Sequence, residues 1–192
     1  GRSCRTATKL ARSGATNCRN ARGWVGKLWL SQWFACASIM AEIMCAMIKV
    51  RASRPEDSNR VIDIWRKAVD ATHDFLTPED RLAIDDLVCG FLPEAPLWLA
   101  VDEGDQPVGF MLIDDGHMEA LFVEPACHGA GIGKALVRHG LAAHPNMTTD
   151  VNEQNPKAIG FYEAMGFVRT GRSALDGQGR PYPLIHLKYQ GA

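Results

Sequence analysis

Between Leu121 and Leu136 the chain changes its period in a way few folds accommodate. Leu121-Phe122-Val123 reads as the end of a strand, and Glu124-Pro125-Ala126-Cys127-His128 as a turn. Gly129, Gly131 and Gly133 then alternate with Ala130 and Ile132, and Lys134-Ala135-Leu136 enters a helix. Glycine lets a backbone approach a ligand closely and turn its N–H groups inward. A helix N-terminus just behind it adds unsatisfied donors and the positive end of a dipole. That arrangement suits a phosphate or pyrophosphate, although a tight strand-to-helix connection without any ligand explains the same glycines equally well. It is not the dinucleotide fingerprint G-x-G-x-x-G. A P-loop would need glycine where His128 stands and Ser or Thr where Ala135 stands.

The segments on either side set the fold class. Residues 48–52 alternate like a strand. Pro55-Glu56-Asp57 opens a helix that carries Val61, Ile64, Trp65 and Val69 at helical spacing. Thr77-Pro78-Glu79-Asp80 is a second start, with Thr as N-cap and Pro in the first turn. Short strands follow over Leu97–Val101 and 108–113, joined by a Gly/Pro turn, and then over His117–Val123. Helices are expected over 133–143 and 156–165, and strands over 147–151, 167–170 and Leu184–Tyr189. The order β α α β β β α β α β β predicts an α+β fold, a mixed sheet with helices on its faces, rather than a doubly wound one.

Composition matters here because it is uneven. The net charge of −1 combines a +6 segment over residues 1–46 with a −7 remainder. Neither bulk charge nor a basic stripe marks residues 47–192 as a nucleic-acid binder. The apolar, uncharged run over residues 28–41 falls short of the roughly 20 residues that span a bilayer. Residues 1–46 are therefore expected to be an upstream or non-native extension outside the fold, with residues 47–192 as the working domain. Its two cysteines, Cys89 and Cys127, form no metal-binding spacing and fit reduced thiols in a cytoplasmic protein. No metal, nucleic-acid or membrane partner is expected, and the protein is expected to be a monomer or homodimer.

A second motif lies some twenty residues beyond the glycines: Asn155-Pro156-Lys157-Ala158-Ile159-Gly160-Phe161-Tyr162, then Gly166-Phe167. With His128-x-x-Gly131-x-Gly133 it resembles the two cofactor motifs of the GNAT superfamily of acetyl-CoA-dependent N-acetyltransferases. The resemblance runs from Met47 to the end. Segments such as Ala71-Thr72-His73-Asp74-Phe75-Leu76 and Val151-Asn152-Glu153-Gln154-Asn155 are similar to the enterobacterial peptidyl-lysine acetyltransferases of that superfamily. It implies the acyl-CoA N-acyltransferase fold, a mostly antiparallel twisted sheet flanked by four helices. It also implies acetyl-CoA as cosubstrate and an amine acceptor, with protein lysines first, small amines such as polyamines next, and a non-catalytic acetyl-CoA-binding module as the remaining alternative.

The resemblance assigns roles. Backbone groups of Leu121, Phe122 and Val123 would pair with the pantetheine arm like an added strand. The N–H groups of Gly129, Ala130, Gly131, Ile132, Gly133 and Lys134 would cradle the pyrophosphate. Asn155 would hold the cofactor arm, cap the following helix, or both. Tyr162 would act as general acid toward the leaving thiolate; as a bare residue it reads equally as a core tyrosine. The motifs do not fix the base: Asp150 is one candidate and His73, in a loop that usually shapes the acceptor site, another, ahead of Glu119 and His117, and water chains can serve instead. His128 departs from the family's Arg or Gln. It carries no permanent charge, so acetyl-CoA affinity is expected to strengthen as pH falls.

Overall fold

The computed structural model describes residues 48–191, so the expectation for residues 1–46 lies outside the described residues. The elements are β1 (Lys49–Ala52), α1 (Ser58–Thr72), α2 (Pro78–Phe91), β2 (Leu97–Val101), β3 (Pro107–Asp114), β4 (His117–Val123), α3 (Ile132–Ala143), β5 (Thr148–Asn152), α4 (Pro156–Ala164), β6 (Phe167–Ser173) and β7 (Leu184–Tyr189). Order and type match the α+β reading. The sheet runs β1-β2-β3-β4-β5-β7-β6, and every neighbouring pair is antiparallel except β4 with β5.

Period-2 alternation puts a separate core on each face. Leu97, Leu99, Val101, Phe110 and Leu112 turn toward Val61, Ile64, Trp65 and Val69 of α1. Ala100, Met111, Met118, Val151, Ile185 and Leu187 turn the other way, toward Leu136 and Val137 of α3 and Ile159 of α4. β3 is buried on both faces, so its apolar run shows no alternation.

Two irregularities shape the site. Leu112 pairs with Ala120 and Ile113 with Met118, so Glu119 is an extra residue in β4, a β-bulge. The pleat confirms it: Met118 belongs to the α3 face, yet so do Leu121 and Val123. The parallel pairing of β4 with β5 stops at Met118–Thr149. Beyond that pair the strands diverge as a fork. The second irregularity is in β6, which runs to Ser173, not to residue 170. Arg169 pairs with Leu187 but Gly171 with His186, leaving Thr170 as the extra residue. Gly171-Arg172-Ser173 carries no apolar alternation, which is why its strand character is invisible in the sequence.

The turn after β1 is held by charge. Asp57, 6% exposed, accepts from both Arg51 terminal nitrogens (2.7 and 3.0 Å) and from the Arg54 N–H (2.8 Å). Arg51 and Arg54 also reach Asp105 in the β2–β3 turn, at 2.9 and 2.7 Å. The Arg51 hydrogen bonds hold the Asp57 carboxyl below its usual range against the opposing effect of burial. A lowered folded-state value stabilises the protein above the unfolded value and loses that contribution as pH falls through the folded one. Asp57→Ala is therefore expected to cost about 2–3 kcal/mol in urea unfolding near neutral pH, because Arg51 keeps only its outer carboxylate partner, Asp105. The gap to wild type should narrow in acid, below the ordinary value of 3.8.

Candidate active site

The fork between β4 and β5 is where the chemistry-bearing residues meet. One wall is the edge of β4 from Glu119 to Val123, which has no β5 partner beyond Met118. An extended amide-bearing chain can add to such an edge as a strand would. Past Val123 a 3-10 turn over Pro125–Cys127 leads to Gly129 and Gly131, at φ of +82° and +79°. Left-handed residues in such a turn can present backbone N–H groups to an anion, although the Ala130 N–H itself donates to the Cys127 carbonyl at 3.3 Å. Gly131 is the N-cap of α3 and has no side chain to occupy the first-turn donors. Gly133 has a packing reason as well: a Cβ there would lie 3.3 Å from the Phe161 ring of α4. The His128 ring folds back, with Nε2 3.2 Å from the Val123 carbonyl oxygen. Its nearest partner is thus the end of β4.

Asn155 is the N-cap of α4. Its Oδ1 accepts from the Ala158 N–H at 3.1 Å, ahead of Pro156 in the first turn. The cap role uses the carbonyl oxygen and leaves the amide NH2 as the group that could meet a cofactor arm. Tyr162, two turns on, is 7% exposed. Phe161 and Phe167 pack edge-on against its ring, at 5.1 and 5.4 Å between centroids. Burial pushes its hydroxyl far above the ordinary value of 10, with Thr149 opposing weakly through a hydrogen bond. The hydroxyl is therefore protonated at neutral pH. Thr149 in turn donates to the Met118 carbonyl at 2.9 Å, on the last rung before the fork. Tyr162 thus sits under the opening, on the α3/α4 face.

The opposite face holds the carboxylates. Asp150 follows Thr149 and points away from it, and Glu119 is the bulge residue across the fork. His117 lies one rung back, its Nδ1 2.8 Å from Thr148 Oγ1. His73 follows α1, with Nδ1 2.8 Å from Thr72 Oγ1 and its ring 5.3 Å from Phe75 and 6.3 Å from Phe122. Burial, with Arg81 nearby, lowers its pKa, so the imidazole is neutral. It walls this side of the site without carrying charge. The β6–β7 loop closes the same side: the Tyr182 hydroxyl donates to Asp80 at 2.5 Å and accepts from the Thr77 N–H at 3.2 Å. A cavity of about 540 Å³ opens here, lined by Trp65, Val88, Phe91, Phe110 and Phe122, with Asp114 and Glu119 among its walls.

The sequence-predicted residues thus fall into three groups around one fork. They are the glycine turn, the Asn155–Tyr162 helix, and the set Asp150, Glu119, His117 and His73. Sequence reasoning missed Thr149, which joins β5 to β4 through the Met118 carbonyl, and the contacts of Asp150 with β7. Strand alternation puts Thr149 and Asp150 on opposite faces, but the pairing that gives this meaning is long-range. No helix among the described residues is long and apolar enough to cross a membrane. No cluster of three or more metal-type side chains forms among the described residues.

Comparison with known proteins bears on the family and the fold. Residues 93–169 match the family model described as the acetyltransferase (GNAT) domain. The chain is 55% identical over 146 residues to the peptidyl-lysine N-acetyltransferase YjaB of Escherichia coli K12, a match covering 76% of this chain and 99% of that protein. It is 56% identical over 143 residues to YjaB of Salmonella typhimurium, covering 74% and 99%. Its fold superimposes on the solution structure of apo-form YjaB from Escherichia coli with a TM-score of 0.73, covering 76% of this chain and 99% of that one.

Proposed function

The chain belongs to the GNAT family of acetyl-CoA-dependent N-acetyltransferases, and on that premise we propose that its acceptor is the ε-amino group of protein lysines. The observation that carries this reading is the fork itself. A buried, protonated Tyr162 lies on one face and carboxylates lie on the other, with an unpartnered strand edge between. Acetyl-CoA, when bound, supplies an acetyl group activated as a thioester.

The residues divide the remaining work. The β4 edge at Leu121, Phe122 and Val123 holds the cofactor arm in extended form. The N–H groups from Gly129 to Lys134 neutralise its phosphates at the start of α3. Asn155 orients the arm with its free amide group. Asp150 takes the proton that an ammonium group must lose before its nitrogen can attack, and Tyr162 donates one to the departing sulfur on the other face. His73 and the apolar cavity beside Phe122 flank the lysine's methylene stem. Both YjaB relatives carry the peptidyl-lysine name, which supports the choice of acceptor.

The test uses the full chain with acetyl-CoA against lysine peptides, polyamines and amino acids, following free CoA and the mass of each acceptor. Lysine peptides are expected to gain one acetyl group and to give the highest kcat/KM. Faster turnover of a polyamine or amino acid would replace protein lysine with a small amine. Tight acetyl-CoA binding without release on any acceptor would make the chain a binding module.

A further inference from the structure

Asp150 belongs to a longer line of side chains. Asp150 on β5 stands directly across from His186 on β7, and Ser173 lies on β6 beyond. His186 Nδ1 is 2.6 Å from Asp150 Oδ1, and its Nε2 is 2.7 Å from Ser173 Oγ. With the carboxylate ionised, Nδ1–H donates to Asp150, and Nε2 accepts from the Ser173 hydroxyl. Space for the ring comes from Gly171 opposite it, where a Cβ would lie 3.2 Å from His186 Cδ2. The β6 bulge is what puts this glycine there instead of Thr170. An isolated pair on an open sheet face is worth little. This one begins at the fork, because Asp150 is the first β5 residue past the last β4 pairing.

We propose that His186 and Ser173 are positioning residues that hold the Asp150 carboxylate at the fork for its encounter with the acceptor amine. The inference rests on the N-acetyl-transfer reading above. His186 occupies Oδ1 and so leaves Oδ2 to the acceptor. There an ammonium N–H bond breaks and an O–H bond forms. The electron pair stays on nitrogen, which becomes the nucleophile. The proton then passes to bulk water, since the Asp150 side chain is 34% exposed. Ser173 fixes the ring from its far side. The other titratable groups on this face of the neighbouring strands are Lys188, whose strand position pairs with Thr148, His117, and Glu119 across the fork.

The test compares Asp150→Asn, His186→Gln, their double variant, Ser173→Ala and Ser173→Thr in the full chain. Readouts are kcat for a lysine peptide across pH, acetyl-CoA Kd and thermal midpoint. Asp150→Asn is expected to lower kcat about 100-fold. His186→Gln should lower it about tenfold and change the shape of the pH profile, but add nothing in the Asp150→Asn background. Ser173→Ala should cost several-fold and Ser173→Thr restore it, with Kd unchanged throughout. Additive losses, an unaltered pH profile in His186→Gln, or losses that only track a falling midpoint would overturn the proposal. So would His186-dependent labelling of Ser173 by a fluorophosphonate, which would make the serine a nucleophile. A wild-type chain that acetylates no amine refutes the functional reading itself. An active wild type with a silent His186→Gln refutes only the positioning role.

Discussion

Tyr162→Phe is expected to lower kcat by about 10²- to 10³-fold while acetyl-CoA Kd moves by less than about twofold. The variant keeps the ring, and with it the edge-on contacts to Phe161 and Phe167 at 5.1 and 5.4 Å. What disappears is one hydroxyl at the fork. Thr149 still donates to the Met118 carbonyl, so β4 and β5 stay joined at their last rung. The stability cost should stay within about 1 kcal/mol. Kinetics with a thiol reagent and calorimetric titration of acetyl-CoA separate the two effects. Unchanged kcat would remove Tyr162 from the proton-donor role. The pH dependence carries a further sign. Burial raises this group above its ordinary 10, so its acid form persists throughout the neutral and mildly alkaline range. Any fall of kcat below pH 10 must come from another group.

That experiment also separates what the sequence could show from what it could not. The strand–turn–helix at Leu121–Leu136 was legible because glycine spacing and period are local properties, and the structure gives Gly129 and Gly131 the positive φ such a turn needs. Asn155 was legible as a cap for the same reason. The fork was not. It depends on a bulge at Glu119 that reverses the pleat of β4, and the sequence there, His-Met-Glu-Ala-Leu-Phe-Val, reads as one uninterrupted strand. Nor could the partner of Asp150 be read, because His186 lies 36 positions away and meets it only through the β5–β7 register. The structure makes Tyr162 a core residue, and the acid role proposed for it is compatible with that. The same burial that packs the ring keeps the hydroxyl protonated.

Gly109→Val should show how tightly the proposed cofactor wall is built. It is expected to cost about 2–3 kcal/mol of stability and to weaken acetyl-CoA binding by about tenfold or more, roughly 1.4 kcal/mol. Gly109 lies in the middle of β3, paired with Val123. A Cβ there would stand 3.0 Å from the Phe122 carbonyl oxygen, 3.1 Å from Ile132 Cγ2 and 3.3 Å from Val123 Cγ2. The first of these is backbone and cannot rotate aside, and valine brings two further methyls. Relief must come from moving Phe122–Val123, the edge proposed to hold the cofactor arm, or Ile132, the first residue of α3. Either shift changes the spacing between strand edge and helix N-terminus that the cofactor has to bridge. Gly140→Ala is the control. Its Cβ would approach Ile113 Cδ1 at 2.7 Å, but that atom ends a rotatable side chain far from the glycine turn. It should lose some stability and keep its affinity. If Gly109→Val loses stability to the same degree and still binds acetyl-CoA like wild type, the spacing of β4 and α3 is not what holds the cofactor.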